Sequence, residues 1–209
     1  MFDAVLRRRL DEPLARVAGA IDVPVVTPDR LSLAGLALGL ASAVLAATGQ
    51  WGWAAAAWVV SRVVDGLDGA LARHRGRSSP AGGFLDITAD FVVYGAGVVG
   101  VAIGSVPASA GPGDWLPFAA VLLAYYVNGA AFLAFSSIAE RTGHQLDDGR
   151  SLSFLGGLAE GGETVVVHTL WLLLPAHAAL IASIWAGVVA VSATQRMVGG
   201  YRTLSRPTR

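Results

Sequence analysis

Long stretches without charged side chains constrain this chain more than any other feature of its sequence. A helix that crosses a bilayer needs about 20 apolar residues. Three stretches near that length are uncharged and a fourth contains only Arg62: Leu31–Thr48, Phe91–Gly113, Trp115–Ala139 and Trp51–Val64. Thr164–Gln195 is uncharged over 32 residues, which is too long for one crossing, and Pro175 near its middle is a natural break. With a fifth helix that starts near Leu155, the sequence predicts an all-α integral membrane protein with six transmembrane helices.

The composition agrees with a membrane protein and excludes several other classes. Of the 209 residues, 54% are hydrophobic and 14% are charged, whereas soluble domains are about 25% charged. Disordered chains are poor in apolar residues, and the absence of cysteine excludes a disulfide scaffold, a thiolate metal site and a cysteine nucleophile. The formal net charge of zero predicts no general attraction to nucleic acid.

The arginine residues predict the orientation of the helices. All 15 basic residues are Arg, and 14 of them flank the predicted spans on one side, while the turns on the opposite side contain none. Arg62 is the exception. By the positive-inside rule the arginine-rich side is cytoplasmic. We therefore expect a multi-pass protein of the inner or plasma membrane with both termini in the cytoplasm.

Residues 1–26 are predicted to form a helix that lies on the membrane surface. Apolar residues recur there at helical spacing: Phe2, Val5, Leu6, Leu10, Leu14, Val17 and Ile21. This spacing predicts an N-terminal interfacial amphipathic helix, with Pro13 as a kink; a partly disordered basic tail is the alternative. Residues 27–200 would then form the six-helix domain, and residues 201–209 a basic cytoplasmic tail.

Four acidic residues within 26 positions are the main chemical feature of the chain: Asp65, Asp68, Asp86 and Asp90. Their spacings put each pair on one helix face, at neighbouring ends of the second and third predicted spans, so the pairs can converge. Carboxylates in a membrane helix are costly, and a hard cation such as Mg²⁺, Mn²⁺ or Ca²⁺ would compensate them. On charge alone, a solvated cluster neutralised by neighbouring arginines explains them equally well.

The spacing of the motif separates these alternatives. The run D-G-L-D-G-A-L-A-R at Asp65–Arg73 is followed by eight residues and then by Gly82, Asp86 and Asp90. This pattern resembles the signature of the CDP-alcohol phosphotransferase family, D-x2-D-G-x2-A-R, eight residues, G-x3-D-x3-D, at all eight defining positions. The resemblance implies a six-helix membrane enzyme that transfers a substituted phosphate from a CDP-linked donor to an alcohol and releases CMP.

The resemblance also implies roles for the motif residues. Three carboxylates would ligate Mg²⁺ or Mn²⁺, two ions in all, that neutralise the diphosphate: Asp65, Asp68 and Asp86. Asp90 would be the general base for the acceptor hydroxyl and would also contact the second ion. The residues assigned to the donor are Gly69, Ala72, Arg73 and Gly82. Arg suits phosphate recognition, although Arg73 could be an ordinary loop arginine and Gly82 could simply start a helix.

Two further segments are predicted to contact the donor. Thr27–Ser32 resembles the family's segment before the first span, which helps to hold cytidine, and its candidate contacts are Pro28, Asp29 and Ser32. Many members have Asn where Asp29 stands, and a helix N-cap explains Asp29 equally well. Ser79 lies where related enzymes use a hydroxyl near the nucleotide; a plain polar loop is the alternative.

The motif specifies the donor and leaves the acceptor open. A phosphorylated acceptor needs cations near the base, and three arginines on the predicted cytoplasmic side are candidates: Arg141, Arg150 and Arg196. Arg196 is the best placed because it belongs to the end of the sixth span, whereas the positive-inside rule alone accounts for the other two. Glu160 and Glu163, early in the fifth span, are predicted to face the active cavity because carboxylates facing lipid are costly. Pairing with Arg150 or Arg196 is the alternative.

The sequence thus predicts an enzyme of phospholipid synthesis that transfers a phosphatidyl group from CDP-diacylglycerol to a small alcohol. A polyol phosphate such as glycerol 3-phosphate or inositol phosphate is the leading acceptor, and the family resemblance implies a homodimer. The alternatives are a divalent-cation carrier and an inactive scaffold of the same fold. A carrier would place carboxylates near the bilayer midplane and a scaffold would have lost part of the motif, whereas here the carboxylates lie at one end of their helices and the motif is complete.

Overall fold

The computed structural model describes residues 2–76, 79–143 and 157–206, and this part of the chain is helical and contains no strand. It has seven α-helices: α1 Phe2–Ala20, α2 Pro28–Ala47, α3 Trp51–His74, α4 Pro80–Ser105, α5 Pro112–Thr142, α6 Gly161–Leu173 and α7 Ala178–Leu204. A short 3-10 helix, Pro175–His177, directly precedes α7, at the break that the proline predicted.

Four helical segments of the described residues are long and apolar enough to cross a bilayer: Pro28–Ala47, Pro80–Ser105, Pro112–Thr142 and Pro175–Leu204. The other two predicted spans differ from these. Helix α3 has 24 residues but carries four charged residues: Arg62, Asp65, Asp68 and Arg73. Helix α6 has 13 residues and is about 20 Å long, shorter than a hydrocarbon core of about 30 Å. The protein is an all-helical membrane protein, and the count of six spans stays a prediction.

The start of α6 differs from the sequence prediction. The helix begins at Gly161 rather than near Leu155, and residues 157–160 are not helical. A Cβ at Gly157 would lie 2.1 Å from Ser192 Oγ, and the amide of Ala159 donates to the same oxygen at 3.3 Å. Packing against α7 thus holds this segment outside the helix. Glu160 consequently precedes α6 instead of lying within it.

The chain divides into two compact units. The first comprises Met1–Asp114 and Gly161–Ala178. In this unit α2 packs closely against α3 and α4 through small residues. A Cβ at Gly39 would lie 2.6 Å from a methyl of Val93, and one at Gly100 would lie 2.2 Å from the carbonyl oxygen of Ala43. Such close backbone approach is typical of helices that pack in lipid.

Helix α1 packs on the part of α3 that carries the motif. Ala18 is fully buried in a cluster with Ala70 and Leu71, and a Cβ at Gly66 would lie 3.2 Å from the side chain of Leu14. A helix therefore forms at the N-terminus and packs on α3 beside the acidic residues, whereas its amphipathic character stays a prediction. Its place on the membrane surface stays a prediction.

The second unit comprises Trp115–Glu160 and Ala179–Arg209. Its described part contains α5 and most of α7. The indole nitrogen of Trp185 on α7 donates to the hydroxyl of Tyr125 on α5 at 2.7 Å, which gives both polar groups a hydrogen-bond partner.

Candidate active site

Three of the four motif carboxylates meet in the first unit. Asp65 and Asp68 lie in the second half of α3, and Asp86 lies in the second turn of α4. One carboxylate oxygen of each lies within 4.8 Å of those of the other two. Two oxygens that ligate one hard cation at about 2.0–2.6 Å lie at most about 4–5 Å apart. These three carboxylates therefore fit a single divalent cation such as Mg²⁺ or Mn²⁺.

The fourth carboxylate, Asp90, has an arginine partner. Arg62 Nη1 donates to Asp90 Oδ1 at 2.6 Å and lies 3.5 Å from Asp65 Oδ2. The Arg62 side chain is 9% exposed. The sequence predicted a second ion in contact with Asp90, whereas the described geometry gathers ligands for one ion and pairs Asp90 with Arg62. The count of two ions stays a prediction.

Sequence reasoning does not assign Arg62 to the site, because the orientation rule treats it only as the one arginine away from the predicted cytoplasmic side. A signal was present, since Arg62 precedes Asp65 by three residues on the same helix face and a membrane helix rarely carries a cation without a partner. The rings of Trp58 and Tyr94, also missed, lie 5.1 Å and 5.5 Å from its guanidinium carbon.

Ser32 forms a hydrogen bond with one of the predicted metal ligands, Asp68. Its hydroxyl donates to Asp68 Oδ2, and the residue is 3% exposed. The sequence assigned Ser32 to the donor. Its position indicates that it orients Asp68, because a carboxylate with one oxygen held by a hydroxyl presents the other in a fixed direction.

The start of α2 corrects the proposed role of Asp29 as its N-cap. Thr27 is the N-cap, and its hydroxyl accepts from the Arg30 amide at 3.3 Å. Pro28 occupies the first helical position, which suits a residue without an N–H, and the cap therefore falls one residue before it. Asp29 lies exposed in the first turn.

The starts of α2 and α4 lie close together. Ser79 is the N-cap of α4 and accepts from the Gly82 amide at 3.0 Å. A Cβ at Gly82 would lie 3.1 Å from Ser79 Oγ and 3.4 Å from Asp29 Oδ1. Three residues assigned to the donor thus form one group, and their contact with a nucleotide stays a prediction.

Arg73 is exposed near the end of α3. Its Nη1 lies 3.2 Å from where a Cβ of Gly69 would be, and its Nη2 lies 3.9 Å from Asp11 Oδ1. Ala72 is half-buried beside it. Gly69 therefore gives the Arg73 guanidinium room to fold back along α3. Because Arg73 is exposed, it is accessible to a phosphate.

The acceptor candidates in the second unit differ in burial. Arg196 is 5% exposed, donates to the carbonyl oxygen of Ala159 at 3.5 Å, and has its guanidinium carbon 5.7 Å from the centre of the Phe132 ring. Arg141 is exposed in the last turn of α5. Arg150 lies outside the described residues. Arg196 is thus the candidate held most firmly by its surroundings.

The two glutamates fall in different units. Glu160 Oε1 accepts from the Gly157 amide at 3.4 Å in the second unit. Glu163 lies in the first turn of α6, and its Oε2 is buried without a hydrogen-bond partner among the described residues. Their predicted place in one acceptor cavity stays a prediction.

Comparison with known proteins gives the family. The model of the CDP-alcohol phosphatidyltransferase family matches residues 25–194. Inner membrane protein YnjF of Escherichia coli (strain K12) is 36% identical over 208 residues, which are 98% of this chain and 97% of that protein. Archaetidylinositol phosphate synthase of Methanothermobacter thermautotrophicus is 34% identical over 103 residues, 49% of each chain.

Solved structures share the fold. Mycobacterium tuberculosis phosphatidylinositol phosphate synthase (PgsA1) with CDP-DAG bound has a TM-score of 0.73 at 21% identity, covering 96% of this chain and all of that one. The same enzyme in complex with manganese and citrate has a TM-score of 0.72 at 22% identity, covering 95% and 93%. The complete motif, the helical membrane fold and the family match agree: the chain belongs to the CDP-alcohol phosphatidyltransferase family, whose members are transferases of substituted phosphate groups.

Proposed function

We propose that this protein transfers a phosphatidyl group from CDP-diacylglycerol to a phosphorylated polyol, with inositol phosphate as the leading acceptor. The observation that carries the proposal is the convergence of Asp65, Asp68 and Asp86 into one ligand set beside Asp90. A structural neighbour solved with CDP-DAG supports the choice of donor. Relatives named archaetidylinositol phosphate synthase and a neighbour named phosphatidylinositol phosphate synthase support the choice of acceptor.

The reaction forms a bond from the acceptor oxygen to the phosphorus that carries the lipid. The bond from that phosphorus to the oxygen of CMP breaks, and CMP leaves. Asp90 takes the proton of the acceptor hydroxyl, while Arg62 holds one of its carboxylate oxygens in place. Arg73 binds the phosphates of the donor. A divalent cation held by the three converging carboxylates would neutralise charge on the diphosphate.

The orientation in the membrane belongs to the same proposal. We infer that both termini and the acidic site are cytoplasmic, because 14 of the 15 arginines flank the predicted spans on that side. The proposal that the protein is a homodimer rests on the family alone.

Single cysteines test the orientation. The chain has no cysteine of its own, so the variants Gly111→Cys and Arg206→Cys each carry one. An impermeant thiol reagent on intact cells is expected to label only the cysteine at Gly111, and labelling of the cysteine at Arg206 would reverse the orientation.

The function predicts which acceptors support CMP release. Purified protein with CDP-diacylglycerol and Mg²⁺ is given inositol phosphate or glycerol 3-phosphate, each beside its unphosphorylated counterpart. We expect the phosphorylated compounds to react at least about tenfold faster, since one charge-assisted hydrogen bond contributes about 1.5–3 kcal/mol. Released CMP and the mass of the lipid product are measured. No CMP with any alcohol contradicts the function, and equal use of unphosphorylated alcohols contradicts the acceptor class.

Arg196 is the residue that we assign to the acceptor phosphate, because it is a buried cation held in place by α5 and the segment before α6. In the same assay Arg196→Gln is expected to raise KM for the phosphorylated acceptor about tenfold and to leave KM for CDP-diacylglycerol unchanged. Arg202→Gln, an exposed arginine in the last turn of the same helix, is the matched control. An equal effect of both variants contradicts the assignment.

A further inference from the structure

Arg62 is a buried cation between two of the motif carboxylates. Its Nη1 lies 2.6 Å from Asp90 Oδ1 on α4 and 3.5 Å from Asp65 Oδ2 on its own helix. The remaining motif carboxylates, on Asp68 and Asp86, lie close enough to Asp65 to form a ligand set for a cation with it. Asp65 is therefore shared between a ligand set and an arginine.

The guanidinium is held in this position by several groups. Its Nη2 donates to Ser61 Oγ at 2.9 Å, and that hydroxyl donates to the carbonyl oxygen of Gly35 on α2 at 2.7 Å. The rings of Trp58 and Tyr94 lie 5.1 Å and 5.5 Å from the guanidinium carbon, within the range of a cation–π contact. Moving Arg62 away would break all these contacts, so the cation is a fixed part of the site.

A second divalent cation would need the volume that Arg62 occupies. An ion shared by Asp65 and Asp90 would lie about 2.0–2.1 Å from an oxygen of each. The Nη1 atom already lies between the same two carboxylates, and its positive charge would repel an ion that close. The space between Asp65 and Asp90 is thus filled by a side chain that carries the charge an ion would supply.

We propose that Arg62 takes the place of a second divalent cation, so that the site binds one ion through Asp65, Asp68 and Asp86. This inference rests on the metal-binding part of the proposed function. It replaces the two ions that the sequence predicted with one ion and one arginine. Arg62 is then a positioning residue, since it acts on the reaction by holding Asp90 and by excluding a cation from its side of Asp65.

The number of bound ions tests this directly. Purified protein in detergent is equilibrated with Mn²⁺ by dialysis, and bound metal per chain is measured at saturation. The wild-type protein is expected to bind one Mn²⁺. Arg62→Met removes the charge at similar length and is expected to raise the count to two, because Asp65 and Asp90 then face each other without a cation. Arg62→Lys keeps a cation and is expected to stay at one.

Arg73→Met is the matched control, because it makes the same substitution in the same helix at an arginine whose neighbour is Asp11 rather than Asp65 or Asp90. This variant is expected to bind one Mn²⁺. Two ions in the wild-type protein, or one in a folded Arg62→Met variant, would overturn the inference. If Arg62→Met does not fold, the wild-type count decides. Two bound ions with normal CMP release count against this inference alone, whereas one bound ion without CMP release under any acceptor counts against the proposed function alone.

Discussion

Asp90→Asn is expected to reduce CMP release by about 10²–10⁴-fold, the range that a general base contributes. The amide cannot accept the proton of the acceptor hydroxyl. Its oxygen can still accept from Arg62 Nη1, which lies 2.6 Å from Asp90 Oδ1, so the variant keeps the contact that positions this side chain. Turnover at saturating donor and acceptor is the measurement.

Donor binding separates loss of the base from loss of the site. The three converging carboxylates remain in Asp90→Asn, so we expect the Kd for CDP-diacylglycerol in the presence of Mg²⁺ to change by less than about threefold. Wild-type turnover in the variant contradicts the assignment of the base. A loss of donor affinity as large as the loss of turnover indicates that Asp90 mainly holds the donor or its ion, and contradicts it as well.

Most of the helical framework could be predicted because lipid imposes a simple rule on the chain. Backbone groups must be satisfied within a spanning segment, and each long uncharged stretch accordingly contains a helix: α2, α4, α5 and α7. The start of α6 could not be predicted, because residues 157–160 are held by Ser192, which is distant in sequence. Hydropathy reports on the environment of a segment and contains no information about such a contact.

The candidate site shows the same division between local and distant information. The spacing of the four aspartates predicted that each pair shares a helix face, because three or four residues along a helix keep side chains on one face, whereas their roles are implied by the family resemblance alone. The partners of those aspartates were not predictable in the same way. Arg62 reaches Asp90 across 28 positions and Ser32 reaches Asp68 across 36, and both contacts depend on how α2, α3 and α4 pack.

Removal of Asp86, the one metal ligand that α4 contributes, is also expected to have a large effect. Asp65 and Asp68 belong to α3, and Asp86 is the member of the converging set that belongs to α4. An ion bound by all three would link the two helices. A ligand that binds only the folded state at 100 times its Kd stabilises it by about 2.7 kcal/mol. We therefore expect Mn²⁺ to raise the Tm of the wild-type protein by about 5–10 °C.

Asp86→Asn is expected to abolish both this Tm shift and CMP release, because two carboxylates on one helix neither complete the ligand set nor link α3 to α4. Glu140→Gln makes the equivalent change at an exposed residue of α5 and is expected to keep the full shift. Because each variant is compared with and without Mn²⁺, the shift reports on ion binding and not on the Tm of the metal-free protein. A Tm shift that survives in Asp86→Asn would place the ion elsewhere.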